Sequence, residues 1–240
     1  MILAIDAGNT RIKWGLWRDR GFVAQGSLLT ARAAELADAL HMLPRPQHAI
    51  GSSVAGEAVQ ARIEQALAPW GIALRWIRSQ ATECGVSSGY AEPGQLGSDR
   101  WAALVGAHAR RSGACVVVNI GTAVTIDALT ADGRFLGGLI LPGPDLMAQS
   151  LAQGTAGLAH QAGRFEAFPT GTANAIHTGA LQAVCGAIER MQHSMQAAGH
   201  GQPHVLLSGG GAHLVAPLLR PPPALAPSLV LEGLIEIARA

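Results

Sequence analysis

Apolar residues at the start of the chain form three short runs, and Gly8, Asp19 and Gly21 lie in the polar turns between them. Runs of this length, bounded by glycine and aspartate, are typical of β-strands joined by tight connections. We therefore predict an antiparallel meander of three strands over residues 2–5, 12–17 and 22–28.

Helix-like and strand-like patterns then alternate. Apolar residues at helical spacing predict helices over residues 31–43 and 57–68, and short apolar runs predict strands over 48–54 and 74–77. Residues 79–97 are rich in Gly, Ser and Pro and lack periodicity, so they predict a loop. Ser98 is then expected to be the N-cap of a helix that extends to Arg111.

The second half of the chain repeats this order of elements. An apolar strand that ends in Asn119 resembles the strand that ends in Asp6, and each is followed by a small residue, a glycine and a polar turn. The two positions are 113 residues apart, which is a plausible domain size. The predicted strands are 115–119, 124–129, 135–141, 204–207 and 229–231, and the predicted helices are 145–153, 172–198, 212–219 and 232–240.

This repetition predicts an α/β protein of two duplicated domains. We place the boundary at Ser112 and Gly113, so that the domains cover residues 1–112 and 113–240. Each domain would present a hairpin turn to a shared central cleft. The alternative is a chance similarity between two glycine-containing turns, which the matching order of elements disfavours.

The first turn has the chemistry of a phosphate site. Gly8, Asn9 and Thr10 offer backbone N–H groups, an amide and a hydroxyl directly after Asp6. Lys13 is the only lysine in the chain, although Lys and Arg together number 17. A compact ammonium suits phosphate as a point charge. The alternative is an ordinary hairpin with polar turn residues.

A run of three glycines at 209–211 follows the predicted strand 204–207 and precedes a helix. Glycines at such a position allow the backbone to approach a ligand closely, and the following helix start favours anions, although these turns are common in any α/β protein. The chain has no Walker A motif, no G-x-G-x-x-G after its first strand and no zinc-ligand pattern.

A second group of polar residues precedes the helix that begins near Ser98. Asp99 is a candidate general base toward a substrate hydroxyl, and Arg100 could hold a substrate carboxylate. Tyr90, the only tyrosine, lies in the preceding loop. The alternative is that Asp99 complements the helix dipole and Arg100 is solvated.

Composition excludes several other classes of protein. The chain is 49% hydrophobic and 14% charged, with a formal net charge of +1, which is typical of a compact domain and leaves no large basic surface for nucleic acid. The apolar runs are shorter than the ~20 residues of a membrane span, and no signal peptide is evident. Three separated cysteines predict free thiols and a cytoplasmic location.

With these motifs in order, the chain resembles the type III pantothenate kinases, which belong to the acetate and sugar kinase/Hsp70/actin superfamily. The resemblance implies two RNase H-like (actin-like ATPase) domains and a homodimer with its pantothenate pocket near the subunit interface. It also implies ATP-dependent phosphorylation of pantothenate to 4'-phosphopantothenate, the first step of coenzyme A biosynthesis. The matching motifs are Asp6-x-Gly8-Asn9-Thr10-x-x-Lys13, Gly97-Ser98-Asp99-Arg100-Trp101, Gly121-Thr122-Ala123-Val124-Thr125-x-Asp127, Pro142-Gly143 and Gly209-Gly210-Gly211.

The resemblance also assigns roles to individual residues. It makes Asp99 the catalytic proton acceptor, and Thr122 a contact to ATP from the second hairpin. Thr172 would complete the pantothenate site from the other subunit. The ATP phosphates, with Mg²⁺ held by Asp6 through ATP, would be bound by Asp6, Ala7, Gly8, Asn9, Thr10, Arg11, Ile12 and Lys13, and pantothenate would be lined by Tyr90, Gly97, Ser98, Asp99 and Arg100.

Asn119 departs from the family pattern, which usually has an aspartate there that binds an activating potassium or ammonium ion. An asparagine keeps an oxygen ligand but lacks the negative charge, so we expect a weakened monovalent cation site. Two alternative functions stay open: another sugar or hydroxy-acid kinase of the same superfamily, and a non-catalytic accessory protein in gene regulation. An ATPase activator with an iron–sulfur cluster would need clustered cysteines, which this chain lacks.

Overall fold

The structure, a computed structural model, describes residues 1–110, 113–155 and 161–240. The chain divides into two compact units, Met1–Arg111 with Ser228–Ala240, and Ser112–Pro227. Residues 111 and 112, at the predicted boundary and at the predicted end of a helix, lie outside the described residues. Within the described part, no helix is long and apolar enough to cross a membrane, and the three cysteines form no disulfide.

The first unit contains a five-stranded mixed sheet. Its strands are β1 (Ile2–Ala7), β2 (Arg11–Arg18), β3 (Gly21–Leu29), β4 (His48–Ser53) and β5 (Leu74–Trp76). They lie in the order β3-β2-β1-β4-β5, with β1, β2 and β3 antiparallel and β4 and β5 parallel to β1. The predicted meander is therefore confirmed.

The first unit also contains four α-helices and a small hairpin. One longer helix was predicted over residues 31–43. The structure has instead a 3-10 helix (Thr30–Glu35) followed by α1 (Leu36–Leu40), because the backbone at Arg32 is not helical. The segment predicted as a plain loop holds a hairpin of β6 (Thr82–Glu83) and β7 (Val86–Ser87) and a 3-10 turn (Pro93–Gln95). The remaining helices are α2 (Glu57–Leu67), α3 (Ser98–Ala109) and, at the C-terminus of the chain, α7 (Leu229–Arg239).

The second unit repeats the sheet. Its order is β10-β9-β8-β11-β12, again with three antiparallel strands followed by two parallel ones. The predicted α/β fold with two duplicated sheets is therefore confirmed. The elements are β8 (Cys115–Ile120), β9 (Ala123–Leu129), β10 (Phe135–Pro142), α4 (Pro144–Gly154), α5 (Thr172–Ala197), β11 (His204–Ser208), α6 (Ala212–Val215) with a 3-10 extension (Ala216–Leu218), and β12 (Ala224–Leu225).

Alternating side chains bury one face of each sheet against helices. Leu3, Ile5 and Ala7 of β1 face a core completed by apolar residues of α1 and α2. The intervening residues of β1, including Asp6, therefore face the opposite side, where α7 packs against β1, β2 and β4. In the second unit, α5 and α6 cover the corresponding face of β8, β9 and β11.

The prediction for the C-terminus was wrong. Residues 229–231 are not a strand but the first turn of α7, and residues 228–240 belong to the first unit instead of the second. The physical reason is a close crossing of α3 and α7. At Gly106 a Cβ would lie 2.5 Å from the carbonyl oxygen of Leu229, and at Gly233 it would collide with the carbonyl oxygen of Ala102.

This crossing predicts that Gly233→Ala destabilises the protein by about 3 kcal/mol, the upper part of the usual range for overpacking, because the new methyl group would collide with the backbone of Ala102. Urea unfolding of the purified variant measures this loss. Gly186→Ala in α5 is the matched control, because nothing lies within 4 Å of its Cβ position, and we expect it to be neutral or stabilising by up to ~1 kcal/mol. Equal stability of both variants would exclude the proposed constraint at the crossing.

Candidate active site

A polar row crosses the first sheet at the level of Asp6. Asp6 lies opposite Lys13 on β2 and beside Ser52 on β4, and Lys13 lies opposite Ser27 on β3. Residues opposite each other on neighbouring strands project to the same face of a sheet. The four side chains therefore share the face of the sheet against which α7 packs.

Asp99 lies near this row, in the first turn of α3, and is partly exposed. Its Oδ1 accepts a hydrogen bond of 2.8 Å from the backbone N–H of Arg100. The Ser98 hydroxyl lies 2.8 Å from the Ser52 hydroxyl, which joins the start of α3 to the polar row. The Ser98 hydroxyl therefore bonds to β4 and makes no capping hydrogen bond, so the N-cap prediction was wrong: Gly97 occupies that position.

Gly97 leaves space for the Asp99 carboxylate. A Cβ at position 97 would lie 2.7 Å from Asp99 Oδ1, so a larger residue would displace this oxygen. The backbone of Gly97 has φ −55°, which other residues adopt readily. The glycine is thus required by the close approach of the carboxylate and not by backbone strain.

Asp6 and Asp99 are close enough to influence each other electrostatically. Removal from water and, to a smaller extent, the charge of Asp99 raise the pKa of Asp6, and Lys13 opposes the shift; together they bring it to about 7. Within the described residues, no hydrogen bond or ion pair to the Asp6 carboxylate is present. Two neighbouring carboxylates and one ammonium form a site that a cation or a phosphate–metal complex would stabilise.

Arg100 is buried, so the alternative reading of a solvated arginine was wrong. Its Nη1 donates to the Tyr90 hydroxyl at 3.2 Å, and the guanidinium carbon lies 5.9 Å from the centre of the Tyr90 ring. The segment that carries Tyr90 is fixed to α3, because Trp101 Nε1 donates to Glu83 Oε2 at 2.7 Å. The segment and the start of α3 therefore form one polar wall of the site.

The first turn is built around hydrogen bonds of its own backbone. Gly8 donates its N–H to the Arg11 carbonyl at 3.0 Å, and the Thr30 hydroxyl donates to the Gly8 carbonyl at 2.7 Å. Asn9 and Thr10 at the tip are exposed. The guanidinium of Arg11 donates to the Ser27 hydroxyl at 2.9 Å, which places a second cation near Lys13.

Two of the predicted phosphate-binding residues have side chains that point away from this face. Ala7 and Ile12 lie opposite each other, and both are fully buried in the apolar core. Only their backbone groups could contact a ligand. For these two residues, the prediction of phosphate binding is therefore limited to contacts made by the main chain.

The second sheet carries the corresponding row with different chemistry. Asn119 lies opposite Thr125 on β9 and beside Ser208 on β11, as Asp6 lies opposite Lys13 and beside Ser52. Both the carboxylate and the ammonium of the first row are therefore replaced by neutral groups. Asn119 Oδ1 lies 2.7 Å from the Cβ position of Gly209, whose φ of +94° favours glycine.

The second turn, at Gly121 and Thr122, is fixed by backbone hydrogen bonds within the turn and from the end of β10. Gly121 donates to the Ala123 carbonyl at 3.0 Å, and Gly143 donates to the Thr122 carbonyl at 2.8 Å. The glycine run that follows β11 reaches the same strand end, because Gly211 donates to the Ile120 carbonyl at 3.1 Å. Thr172 is the exposed first residue of α5, elsewhere in this unit.

Sequence reasoning missed three serines of these rows. Ser27, Ser52 and Ser208 lie in strands whose neighbours are mostly apolar or small, and none belongs to the motifs noted above. The only available signal was a polar residue near the end of an apolar strand. The structure identifies them because strand register aligns them with Lys13, Asp6 and Asn119.

Comparison with protein families gives a match to the model for type III pantothenate kinases over residues 2–194. The chain is 47% identical over 239 residues to a type III pantothenate kinase of Aromatoleum aromaticum, covering 100% of this chain and 98% of the relative. The protein belongs to the type III pantothenate kinase family. A second member, from Nitrosomonas eutropha, is 44% identical over 244 residues, and the match covers 100% of this chain and 95% of that protein.

Solved structures place this family member in a wider fold group. A conserved Campylobacter jejuni protein, named for a Baf family of transcriptional activators, matches with a TM-score of 0.63 at 19% identity, covering 99% of this chain and 97% of that one. The ethanolamine utilization protein EutJ of Carboxydothermus hydrogenoformans matches with a TM-score of 0.55 at 14% identity, and the match covers 98% of this chain and 89% of that one. At such identities the likeness concerns the fold alone, which is the actin-like fold predicted from the resemblance.

The raised pKa of Asp6 predicts a specific pH dependence of stability. In the unfolded chain Asp6 has the ordinary aspartate pKa of 3.8, whereas in the fold its pKa is about 7, so it keeps its proton to a higher pH. Its contribution is therefore fully present below pH 3.8 and is lost as pH rises to about 7. Asp6→Asn should therefore gain stability relative to the unmodified chain as pH rises from 3.8 to about 7, the interval in which this loss occurs.

Urea unfolding at several pH values, in the presence of a chelator, measures this difference. Asp38→Asn in α1 is the control, because it removes an exposed carboxylate of the same unit. Parallel pH profiles for Asp6→Asn and the unmodified chain would show that Asp6 ionises normally in the fold.

Proposed function

We propose that this chain transfers the γ-phosphoryl group of ATP to the hydroxyl of pantothenate and forms 4'-phosphopantothenate, the first step of coenzyme A biosynthesis. The observation that carries the proposal is the pairing of Asp6 with Asp99 beside Lys13, in a member of the type III pantothenate kinase family. A phosphoryl-transfer enzyme needs groups that hold metal and phosphate next to a group that accepts a proton. These three residues provide that combination.

Asp99 acts as the general base. It is partly exposed at the start of α3, and within the described residues its carboxylate accepts one hydrogen bond, at Oδ1 from the backbone N–H of Arg100, so its second oxygen is available to a substrate hydroxyl. A positioned base contributes typically ~10²–10⁴ in rate. The nearby Asp6 carboxylate, once occupied by a cation, no longer competes with Asp99 for the proton.

Asp6 and Lys13 bind the phosphate end of Mg²⁺-ATP. Mg²⁺ commonly takes one or two protein carboxylates and completes its coordination with water and substrate phosphates. Asp6 fits this pattern as a single carboxylate at the end of β1, opposite Lys13 and next to the first turn. The bound ion would neutralise charge on the transferred phosphoryl group, and Lys13 and Arg11 would orient it.

Pantothenate lies against the wall formed by Tyr90, Gly97, Ser98 and Arg100. The buried guanidinium of Arg100 meets the carboxylate of pantothenate, and the Tyr90 hydroxyl fixes its orientation through the 3.2 Å hydrogen bond. In the second unit Thr122 contacts ATP. Arg100 suits this role because its burial and its bond to Tyr90 hold the guanidinium in a fixed direction, and a guanidinium binds a carboxylate through paired hydrogen bonds.

A homodimer completes the site, with Thr172 supplied by the partner. Apolar side chains on the second unit support an interface between copies: Ile140 on β10 is 65% exposed, and Phe168 is 90% exposed. Leu146 and Leu151 of α4 are exposed as well. Large apolar side chains left exposed are typical of an association surface where they form a contiguous patch. Cytoplasmic location stays a prediction from composition.

The first test of the function is Asp99→Asn. The asparagine can still accept the hydrogen bond from Arg100, so α3 should begin normally, whereas proton acceptance is lost. We expect kcat for ATP-dependent pantothenate phosphorylation to fall by ~10²–10⁴ while ATP affinity is retained.

Asp145→Asn is the matched control, because Asp145 occupies the same position in the first turn of α4 and is exposed. Near-normal turnover of Asp99→Asn would reject the general-base assignment. A panel of hydroxylated sugars and acids tests the substrate, and preference for another acceptor would reject pantothenate.

The second test concerns the monovalent cation. We propose that Asn119 weakens a potassium or ammonium site, because its carbonyl oxygen next to Gly209 carries no net charge. Activity of the unmodified chain should change little when potassium replaces a bulky cation at constant ionic strength. Asn119→Asp should gain a steeper potassium response. A steep response of the unmodified chain, equal to that of the variant, would contradict this proposal.

A further inference from the structure

The first unit contains a second concave site at the other end of the sheet. A cavity of about 730 Å³ lies where β4 and β5 begin, bounded by the segment before β4, the turn before β5 and the end of α7. His48 at this end lies beside Ile2, whereas Ser52 lies beside Asp6. Four residues of extended strand separate the two levels by roughly 13 Å. The cavity is therefore distinct from the polar row of the active site.

The lining is cationic. Arg45, His48 and Arg75 border the cavity, and no aspartate or glutamate does so among the described residues. Arg45 reaches across the opening, since its Nη2 lies 3.4 Å from the Cβ position of Gly71. Arg75 is held in place by a 2.9 Å hydrogen bond from Nη2 to the Ile237 carbonyl.

Neighbouring carboxylates do not neutralise these arginines. The two glutamates of α7, Glu232 and Glu236, pair with Arg110 and Arg239. In the part of the chain that the structure describes, neither Arg45 nor Arg75 has a carboxylate partner within ion-pair distance. Two such guanidinium groups on one concave surface produce a local positive potential that attracts anions.

The remaining surface of the cavity is largely apolar. Pro46 and Ile50 are buried and Ile72 is half-buried, and all three contribute to the lining. The segment before β4 is fixed to the sheet, because Gln47 donates its backbone N–H to the Met1 carbonyl at 2.9 Å. Few charged groups above an apolar wall are typical of small-molecule sites.

We infer that this cavity is a second ligand site, which binds a small organic anion: a phosphate or carboxylate group between Arg45 and Arg75, with a compact apolar body against Pro46, Ile50 and Ile72. Planar guanidinium groups bind both kinds of anion through paired hydrogen bonds. Arg75 and Ala238 place an occupant at the end of α7, the helix that packs on α3.

Calorimetric titration tests this site with butyl phosphate, pentanoate and uncharged 1-pentanol as probes. Saturating pantothenate and a non-hydrolysable ATP analogue are present, so that the active site is filled. We expect one saturable site for at least one of the two anions and none for pentanol. Tighter binding of butyl phosphate would assign phosphate esters as ligands, and tighter binding of pentanoate would assign carboxylates.

Arg45→Gln and Arg75→Gln should each weaken this binding about tenfold or more, the size expected for loss of a charge-assisted hydrogen bond. Arg45→Gln should keep basal kinase activity, and it tests the site even if Arg75→Gln loosens α7. Arg62→Gln in α2 is the control for general charge, because Arg62 is exposed and lies outside the cavity. The inference would be overturned if neither anion showed saturable binding, if both arginine variants bound the anion as tightly as the unmodified chain, or if pentanol bound as tightly as the anions.

Discussion

The contact between α3 and α7 is the constraint on which the candidate active site depends. Gly106 and Gly233 let the two helix backbones meet without intervening side chains, and a methyl group at either position would collide with main-chain carbonyls. α7 packs in turn on β1, β2 and β4. The start of α3, with Asp99 and Arg100, is thereby held next to the strand end that carries Asp6. A bidentate pair between Arg110 and Glu232, with both bonds at 2.8 Å, closes the other end of the crossing.

The duplicated sheets show how one framework can support two kinds of site. Each has a polar residue at the same level of its central strand, flanked by a partner on the antiparallel and on the parallel side. In the first unit these groups are Asp6, Lys13 and Ser52, of which Asp6 and Lys13 are ionisable. In the second unit Asn119, Thr125 and Ser208 are neutral. The backbone hydrogen bonds that fix the strands do not depend on these side chains, so the chemistry of each row can change without loss of the fold.

The environment of Asp6 gives the charged row its unusual electrostatics. Removal from water and the proximity of Asp99 raise the pKa of Asp6, and Lys13 compensates only partly. Such an arrangement disfavours the empty site at neutral pH and favours binding of a cation that restores the balance of charge.

The sequence by itself determined the local features of this protein. Alternating apolar residues and turn-forming glycines predicted both meanders, the order of most elements and the residues Asp6, Lys13 and Asp99, because these signals act over a few neighbouring positions. The motif order also predicted the family. Only the tertiary structure decided the location of α7, the burial of Arg100 and the alignment of Ser27, Ser52 and Ser208. Each of these depends on contacts between residues that are distant in the sequence. Neither the close approach of two helices at glycines nor the register between strands produces a periodic pattern in the sequence.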